Sequence, residues 1–176
     1  MMQIIAVDSK GIKRFTKKVQ EELKENGVVV RLNRKDLVVE CESEDPYIEP
    51  KSVDVVKGIG NGMEPEIAYK LFSNEFMLKT VDLGELLSSK EDVGRVMGRI
   101  IGTNGRMKRF MEQITETDII IRDNKIYIVG AIEGVELSMN AIYALVRGAT
   151  HKKVCALLEK GRRTIKESKM RLWKEW

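Results

Sequence analysis

Two glycines three residues apart, followed by a run of cations, are the residues of this chain best placed to do chemistry. The segment reads Arg95-Val96-Met97-Gly98-Arg99-Ile100-Ile101-Gly102-Thr103-Asn104-Gly105-Arg106-Met107-Lys108-Arg109. Glycines permit a sharp turn and let a backbone approach a bulky anion. The amphipathic spacing after Gly105 predicts a helix, so the turn would bring free N–H groups and a positive dipole end to one place. Arg99, Arg106, Lys108 and Arg109 add charge of the kind that follows a nucleic-acid backbone. The pattern suits holding phosphates.

Other chemistries lack parts. His151 is the only histidine, which leaves a hydrolase triad or a zinc deaminase site hard to build. Cys41 and Cys155 are far apart and outside any CxxC, so they read as plain thiols. Gly58-Ile59-Gly60-Asn61-Gly62 fails the GxGxxG spacing because position 63 is Met63, and no GxxxxGK(S/T) occurs. That glycine run reads as a flexible connector. Glu116, Asp118 and Asp123 read as strand-edge and turn residues rather than a metal cluster. We expect no metal, no cofactor and no catalysis.

Charge agrees with a polyanion partner. The net charge is only +4, but residues 1–83 carry 13 Lys/Arg against 15 Asp/Glu, and residues 84–176 carry 18 against 12. The second half is the basic one. No stretch approaches the roughly 18 apolar residues of a membrane span. The first ten residues lack a basic start and a small-residue cleavage site, so the sequence predicts a cytoplasmic protein with no membrane partner.

The elements that must position the glycine loop repeat along the chain. Lys13-Arg14-Phe15 recurs as Lys108-Arg109-Phe110, and Val28-Val29-Val30-Arg31-Leu32-Asn33 echoes Ile119-Ile120-Ile121-Arg122-Asp123-Asn124. A second apolar run follows each, and Val56-Lys57-Gly58 matches Val146-Arg147-Gly148. In the first copy Ile12, Phe15, Val19 and Leu23 keep helical spacing up to a stop at Gly27, and a hairpin follows. In the second, Met107, Phe110, Met111 and Ile114 form the helix face. A hairpin around Asp123-Asn124 and a helix through Ile132, Val135, Met139, Ile142 and Val146 come next. Glu64-Pro65-Glu66 opens a helix between the copies. The order in the second copy is strand, helix, helix, strand, strand, helix: an α+β unit with an antiparallel sheet and helices on one face.

The GxxG loop with Ile-Ile before it, flanking cations, and a helix and hairpin after it resembles the K-homology (KH) domain. That resemblance implies a loop that clamps about four single-stranded nucleotides. By the same analogy, Ile100, Ile101 and Ile121 line an apolar groove for the bases. The fold implied is α+β, two tandem type I KH domains with three-stranded antiparallel sheets and helices packed on one face. Residues 1–75 form a degenerate KH domain in which Asp8-Ser9-Lys10-Gly11 replaces the GxxG. Residues 76–148 form the KH domain with the loop, and 149–176 a basic C-terminal helix packed on or extending the second domain. That tail has an apolar stripe (Val154, Leu158, Ile165, Leu172), a weak point at Gly161, and Trp173 and Trp176 free to dock. Within it, His151, Lys152, Lys153, Arg162 and Arg163 could extend the RNA track; alternatively, the helix packs on the body and these charges are solvated.

The whole chain resembles the archaeal KH proteins related to the eukaryotic ribosome-assembly factor called partner of Nob. The segments that carry this are residues 57–68, residues 98–109, and Gly148-Ala149-Thr150-His151 opening a Leu-Leu-Glu-Lys helix. The resemblance implies binding to single-stranded RNA near the 3′ end of small-subunit ribosomal RNA. It also implies a Nob-type endonuclease as partner, and the alpha subunit of archaeal initiation factor two as a further one. A general KH-type binder of messenger or translation-associated RNA is the alternative. Two departures from the family pattern stand out: uncharged Thr103-Asn104 inside the loop, and Glu116 where KH domains usually have Gly. The second is expected to rebuild the turn into the strand.

Overall fold

The computed structural model describes residues 2–174, with side chains as far as Arg171. The apolar stripe residue Leu172 and the docking expected of Trp173 and Trp176 therefore lie outside the described residues. The chain divides into two units, Met1–Leu78 and Lys79–Trp176.

The first unit runs β1 (Gln3–Ala6), α1 (Lys17–Glu25), β2 (Val28–Asn33), β3 (Val38–Ser43), α2 (Glu49–Gly60) and α3 (Pro65–Tyr69). Its sheet has the order β1-β3-β2 with both pairings antiparallel, and Ile5 and Val30 flank Val39 and Cys41 of the central strand. One face buries Val28, Val39 and Cys41, and the core is filled out by Phe15, Leu23, Val55 and Ile59. Strand alternation accounts for this: every second residue must point to the helices.

Two expectations for this unit need correction. The helical pattern from Ile12 to Leu23 is not one helix. Ile12–Arg14 form a separate 3-10 turn, and α1 starts only after Thr16, whose hydroxyl accepts from the Val19 amide. Ile12, Phe15, Val19 and Leu23 are all buried nonetheless, because turn and helix present them to the same core. The glycine run is not a flexible connector either. Gly58 and Gly60 are buried residues of α2, and the helix is capped at Asn61. The residue after the cap is Gly62, as Gly148 follows the cap Arg147 of the equivalent helix in the second unit. Gly62, rather than Gly58, thus takes the place of Gly148 in the repeat.

The second unit contains β4 (Phe76–Asp82, which straddles the boundary), α4 (Leu83–Leu86), α5 (Lys90–Ile101), α6 (Arg106–Thr115), β5 (Asp118–Arg122), β6 (Lys125–Ala131), α7 (Ile132–Val146) and α8 (His151–Lys174). Its three-stranded sheet has the order β4-β6-β5. The β5–β6 hairpin is antiparallel and sets Ile119 opposite Ile128 and Ile121 opposite Ile126. Val96, Ile100, Met111, Ile119, Ile142 and Leu145 are buried. A chain of hydroxyls lies within this core. Thr115 Oγ1 donates to the Met111 carbonyl at 2.7 Å and is linked to Thr117 and Ser138, so none of the three is left unsatisfied.

The turn between α6 and β5 keeps its shape despite lacking glycine. Glu116 takes the left-handed conformation itself, with φ 55° and ψ 40°, and its amide donates to Glu112 as a helix cap. The turn is therefore strained rather than rebuilt. Nor does Gly161 weaken the tail. Helix α8 is continuous through it, and a Cβ at this position would collide with the δ-methyls of Leu137. Glycine lets α8 lie close against α7, with Val154 and Leu158 fully buried and Ile165 half-buried.

Candidate nucleic-acid interface

Helix α5 ends at the loop because Gly102 turns the chain out of it, with φ 71° and ψ 174°. A side chain there would be strained, and its Cβ would stand 2.7 Å from Met107 Cβ. Residues 103–105 make one 3-10 turn in which Asn104 has φ 52°, and Gly105 (φ 73°) is the N-cap of α6. Thr103 and Asn104 are exposed, and Asn104 itself takes a left-handed conformation, so the turn rests on three positive-φ residues and not on its two glycines alone.

The two helices flanking the loop obey different rules. Helix α5 opens conventionally: the Ser89 hydroxyl accepts from the Asp92 amide at 3.0 Å, and Glu91 and Asp92 occupy the first turn. Helix α6 opens with Arg106, Lys108 and Arg109, no acidic residue in its first turn and no side-chain cap. Cations at the positive end of a helix are unfavourable by about 0.3–1 kcal/mol each. An anion seated at the loop would compensate both the charges and the uncapped N–H groups.

The four cations expected at the loop are not equivalent. Arg106 is exposed and, among the described residues, takes part in no ion pair. Arg109 reaches back and donates to the Asn104 carbonyl at 2.6 Å, which braces the loop and leaves its charge uncompensated. Lys108 pairs with Glu112 at 2.7 Å, and Glu112 also accepts from the Ile119 amide at 2.9 Å, so this pair ties α6 to β5. Arg99 turns away from the loop. Its guanidinium donates to the Leu145 carbonyl at 2.9 Å and to the Ala149 carbonyl, satisfying the C-terminal end of α7. Arg99 is thus engaged with the end of α7, and its guanidinium stays half-exposed.

The apolar candidates also divide. Ile100 is fully buried and belongs to the core, so it is not a groove residue. Ile101 is half-buried beside Gly102. Ile121 is half-buried as well, and by its pairing with Ile126 it lies on the sheet face that carries Ile119. Both therefore keep part of their apolar surface accessible. At the start of α8, Lys152 and Lys153 are exposed, and His151 Nε2 lies 2.9 Å from the Arg99 carbonyl.

Sequence reasoning missed the contacts that fasten α8 and the end of α7 to α5. Their partners stand 46 to 52 residues apart, beyond any local pattern. The Lys108–Glu112 pair was legible, since residues four apart meet on a helix. No group of three or more His, Cys, Asp or Glu is placed to hold a metal ion among the described residues. None of the described helices is long and apolar enough to cross a membrane.

Comparison with known proteins bears on this geometry. Residues 77–163 match the model of the second KH domain of PNO1 proteins, described as a eukaryotic type KH-domain (KH-domain type I). A KH domain-containing protein of Methanocaldococcus jannaschii is 38% identical over 131 residues, covering 74% of this chain and 58% of its own. The pre-rRNA-processing protein pno1 of Schizosaccharomyces pombe is 28% identical over 144 residues, covering 78% and 60%. The chain thus spans about three-fifths of the length of these curated relatives. The crystal structure of Dim2p from Pyrococcus horikoshii is 26% identical, with a TM-score of 0.81 over 91% of this chain and 99% of that one. A chain of an a/eIF2alpha-aDim2p-rRNA complex from the same organism shares the fold at 24% identity, with a TM-score of 0.83 over 93% and 95%.

Proposed function

We propose, given that this chain is a KH-domain protein related to the PNO1 proteins, that it binds single-stranded RNA of the small ribosomal subunit during ribosome assembly. The RNA is the 3′ region of small-subunit ribosomal RNA. The observation that carries this reading is the uncapped, acid-free, cation-rich start of α6 directly after Gly102-Thr103-Asn104-Gly105. Such a helix start is unfavourable alone and suited to a phosphate chain. The pre-rRNA-processing name of the fission yeast relative points the same way.

In this reading Arg106 and Arg109 face the phosphates, Gly102 and Gly105 let the backbone close on them, and Ile101 and Ile121 support the bases. Thr103 and Asn104 form the exposed tip. Lys152 and Lys153 extend the cationic track along the start of α8, while Arg99 and Lys108 position the helices. The protein acts without catalysis and without a cofactor, in the cytoplasm. The first unit is a degenerate KH domain: its Asp8-to-Gly11 segment is a turn closed by Asp8 Oδ1, which accepts from the Gly11 amide at 2.5 Å, in place of a GxxG loop. A Nob-type endonuclease and the alpha subunit of archaeal initiation factor two are the proposed protein partners.

The test is direct binding of the purified full chain to an oligonucleotide with the 3′-terminal sequence of small-subunit ribosomal RNA, beside a scrambled oligonucleotide of equal length. Preference for the terminal sequence is expected. Equal binding of the two would favour a general single-strand binder, and no binding would reject the reading.

A further inference from the structure

Asparagine followed by glycine occurs three times in the chain, as Asn26-Gly27, Asn61-Gly62 and Asn104-Gly105. Such a pair can modify itself, because glycine has no side chain to keep its amide nitrogen from the asparagine carboxamide. The structure places the three differently. Asn26 and Asn61 are the C-caps of α1 and α2, with φ −86° and −93°. Each is tied down by its own side chain: Asn26 Nδ2 donates to the Glu22 carbonyl at 2.8 Å, and Asn61 Nδ2 to the Lys57 carbonyl at 2.7 Å. Both stand at the negative end of a helix. Asn104 stands before the positive end of α6, in the left-handed conformation with φ 52° and ψ 31°. It is exposed, and its side chain makes no hydrogen bond among the described residues. The amides that follow do not separate the three, since Gly27, Gly62 and Gly105 each donate to one carbonyl at 3.0 or 3.1 Å.

We infer that Asn104 is a self-modification site, at which the tip of the glycine loop converts to a carboxylate. The Gly105 nitrogen gives up its proton and bonds to Asn104 Cγ, and Nδ2 leaves with that proton as ammonia. The cyclic imide then takes up one water. Opening at Cγ gives aspartate; opening at the backbone carbonyl carbon gives isoaspartate, whose main chain runs through the former side chain. One water is consumed, one ammonia is released, and nothing is oxidised or reduced. The attacking nitrogen and the tetrahedral oxygen that follows carry negative charge. Arg106, the Arg109 guanidinium at the Asn104 carbonyl and the acid-free start of α6 are placed to stabilise it. At the ends of α1 and α2 the helix dipole opposes the same charge. Each glycine amide is engaged in its turn, so the turn must open before attack. Opening is easiest where an exposed loop holds a non-glycine residue left-handed. The consequence for RNA rests on the reading of this loop as the phosphate clamp. The product sets a carboxylate, or a lengthened backbone, where phosphates sit, and bound RNA holds the loop closed against the reaction.

The test incubates the full-length protein at mildly alkaline pH in three states: alone, with single-stranded RNA, and unfolded in guanidinium chloride. Peptide mapping by mass spectrometry follows the exchange of amide for acid at each pair, with aspartate and isoaspartate separated by chromatography. Each folded rate is taken relative to the unfolded rate of the same pair, which removes the influence of sequence neighbours. On that scale Asn104 should convert about tenfold faster than Asn26 or Asn61, the difference that one retained hydrogen bond makes to a barrier. RNA should slow Asn104 and leave the other two unchanged. RNA affinity should fall with the converted fraction. In Asn104→Gly, which cannot react there and suits the positive φ, affinity should hold at its own starting value throughout the incubation. Equal relative rates at the three pairs, or no conversion at Asn104 over a period in which the unfolded chain converts, would overturn the inference. Conversion at Asn104 that neither responds to RNA nor lowers affinity for it would leave the modification standing and reject the loop as the clamp.

Discussion

The Arg99 carbonyl lies 2.9 Å from Nε2 of His151, so the last turn of α5 is fastened to the first turn of α8 three residues before the glycine loop begins. The Arg99 side chain adds two bonds to the end of α7. Arg99→Ala should therefore act on stability more than on phosphate binding. Hydrogen bonds from a charged donor contribute roughly 1.5–3 kcal/mol each, and we expect a loss of about 2–3 kcal/mol in urea denaturation. The salt dependence of RNA binding should keep its slope. A slope that falls while stability holds would return Arg99 to the phosphate-binding set.

The loop itself should respond to charge rather than to size. Thr103→Asp with Asn104→Asp places two carboxylates at the exposed tip, against the phosphates and the positive end of α6. RNA binding should be lost in large part, while the melting curve moves little, since surface changes usually cost within about 0.5 kcal/mol. Unchanged affinity in a folded double variant would move the RNA site elsewhere, most plainly to α8.

Arg106→Ala removes one uncompensated cation. The slope of log affinity against log salt should fall by roughly 0.7, the single-strand value per phosphate contact. Lys108→Ala, whose charge is already paired with Glu112, should change the slope less than Arg106→Ala does. Equal changes in the two variants would show that the Lys108 ion pair opens on binding.

Glu116 holds a left-handed conformation that costs a non-glycine residue about 1 kcal/mol or more. Glu116→Gly should therefore stabilise the protein by roughly 1 kcal/mol. Its only described ion pair, with Arg162 at 3.8 Å and largely exposed, offsets little of that gain. Thermal unfolding decides the sign, and a lowered midpoint would mean the carboxylate is doing more than the backbone suggests.

Acid should weaken the hairpin end of the second unit. The hydrogen bond from Lys125, at 3.1 Å, holds the Asp82 carboxyl below the usual carboxylate range, and the Gly84 amide adds to it. A depressed folded value stabilises above the unfolded value near 3.9, and that contribution is lost as pH falls through the folded one. Asp82→Asn should lower stability at neutral pH and remove this part of the acid dependence. A parallel pH profile in the variant would show that the pair contributes nothing.

What the sequence determined by itself was whatever short spacing can encode. The glycines at 102 and 105, the cations after them, the β5–β6 hairpin and the buried stripe of α6 all follow from residues within a few turns of one another. The acid-free start of α6 could be read as well, because capping is a local rule. The tertiary structure alone decided which of these residues are free to bind. Ile100 and Ile101 are adjacent and alike, yet the helix turns one into the core and leaves the other at the loop. Arg99 and Arg106 carry the same charge, but carbonyls some fifty residues away claim Arg99, and none among the described residues claims Arg106. Gly161 reads as a helix weakness until Leu137 lies against it. In each case the deciding partner is distant in sequence, and only packing brings it within the few ångströms over which sterics and hydrogen bonds act.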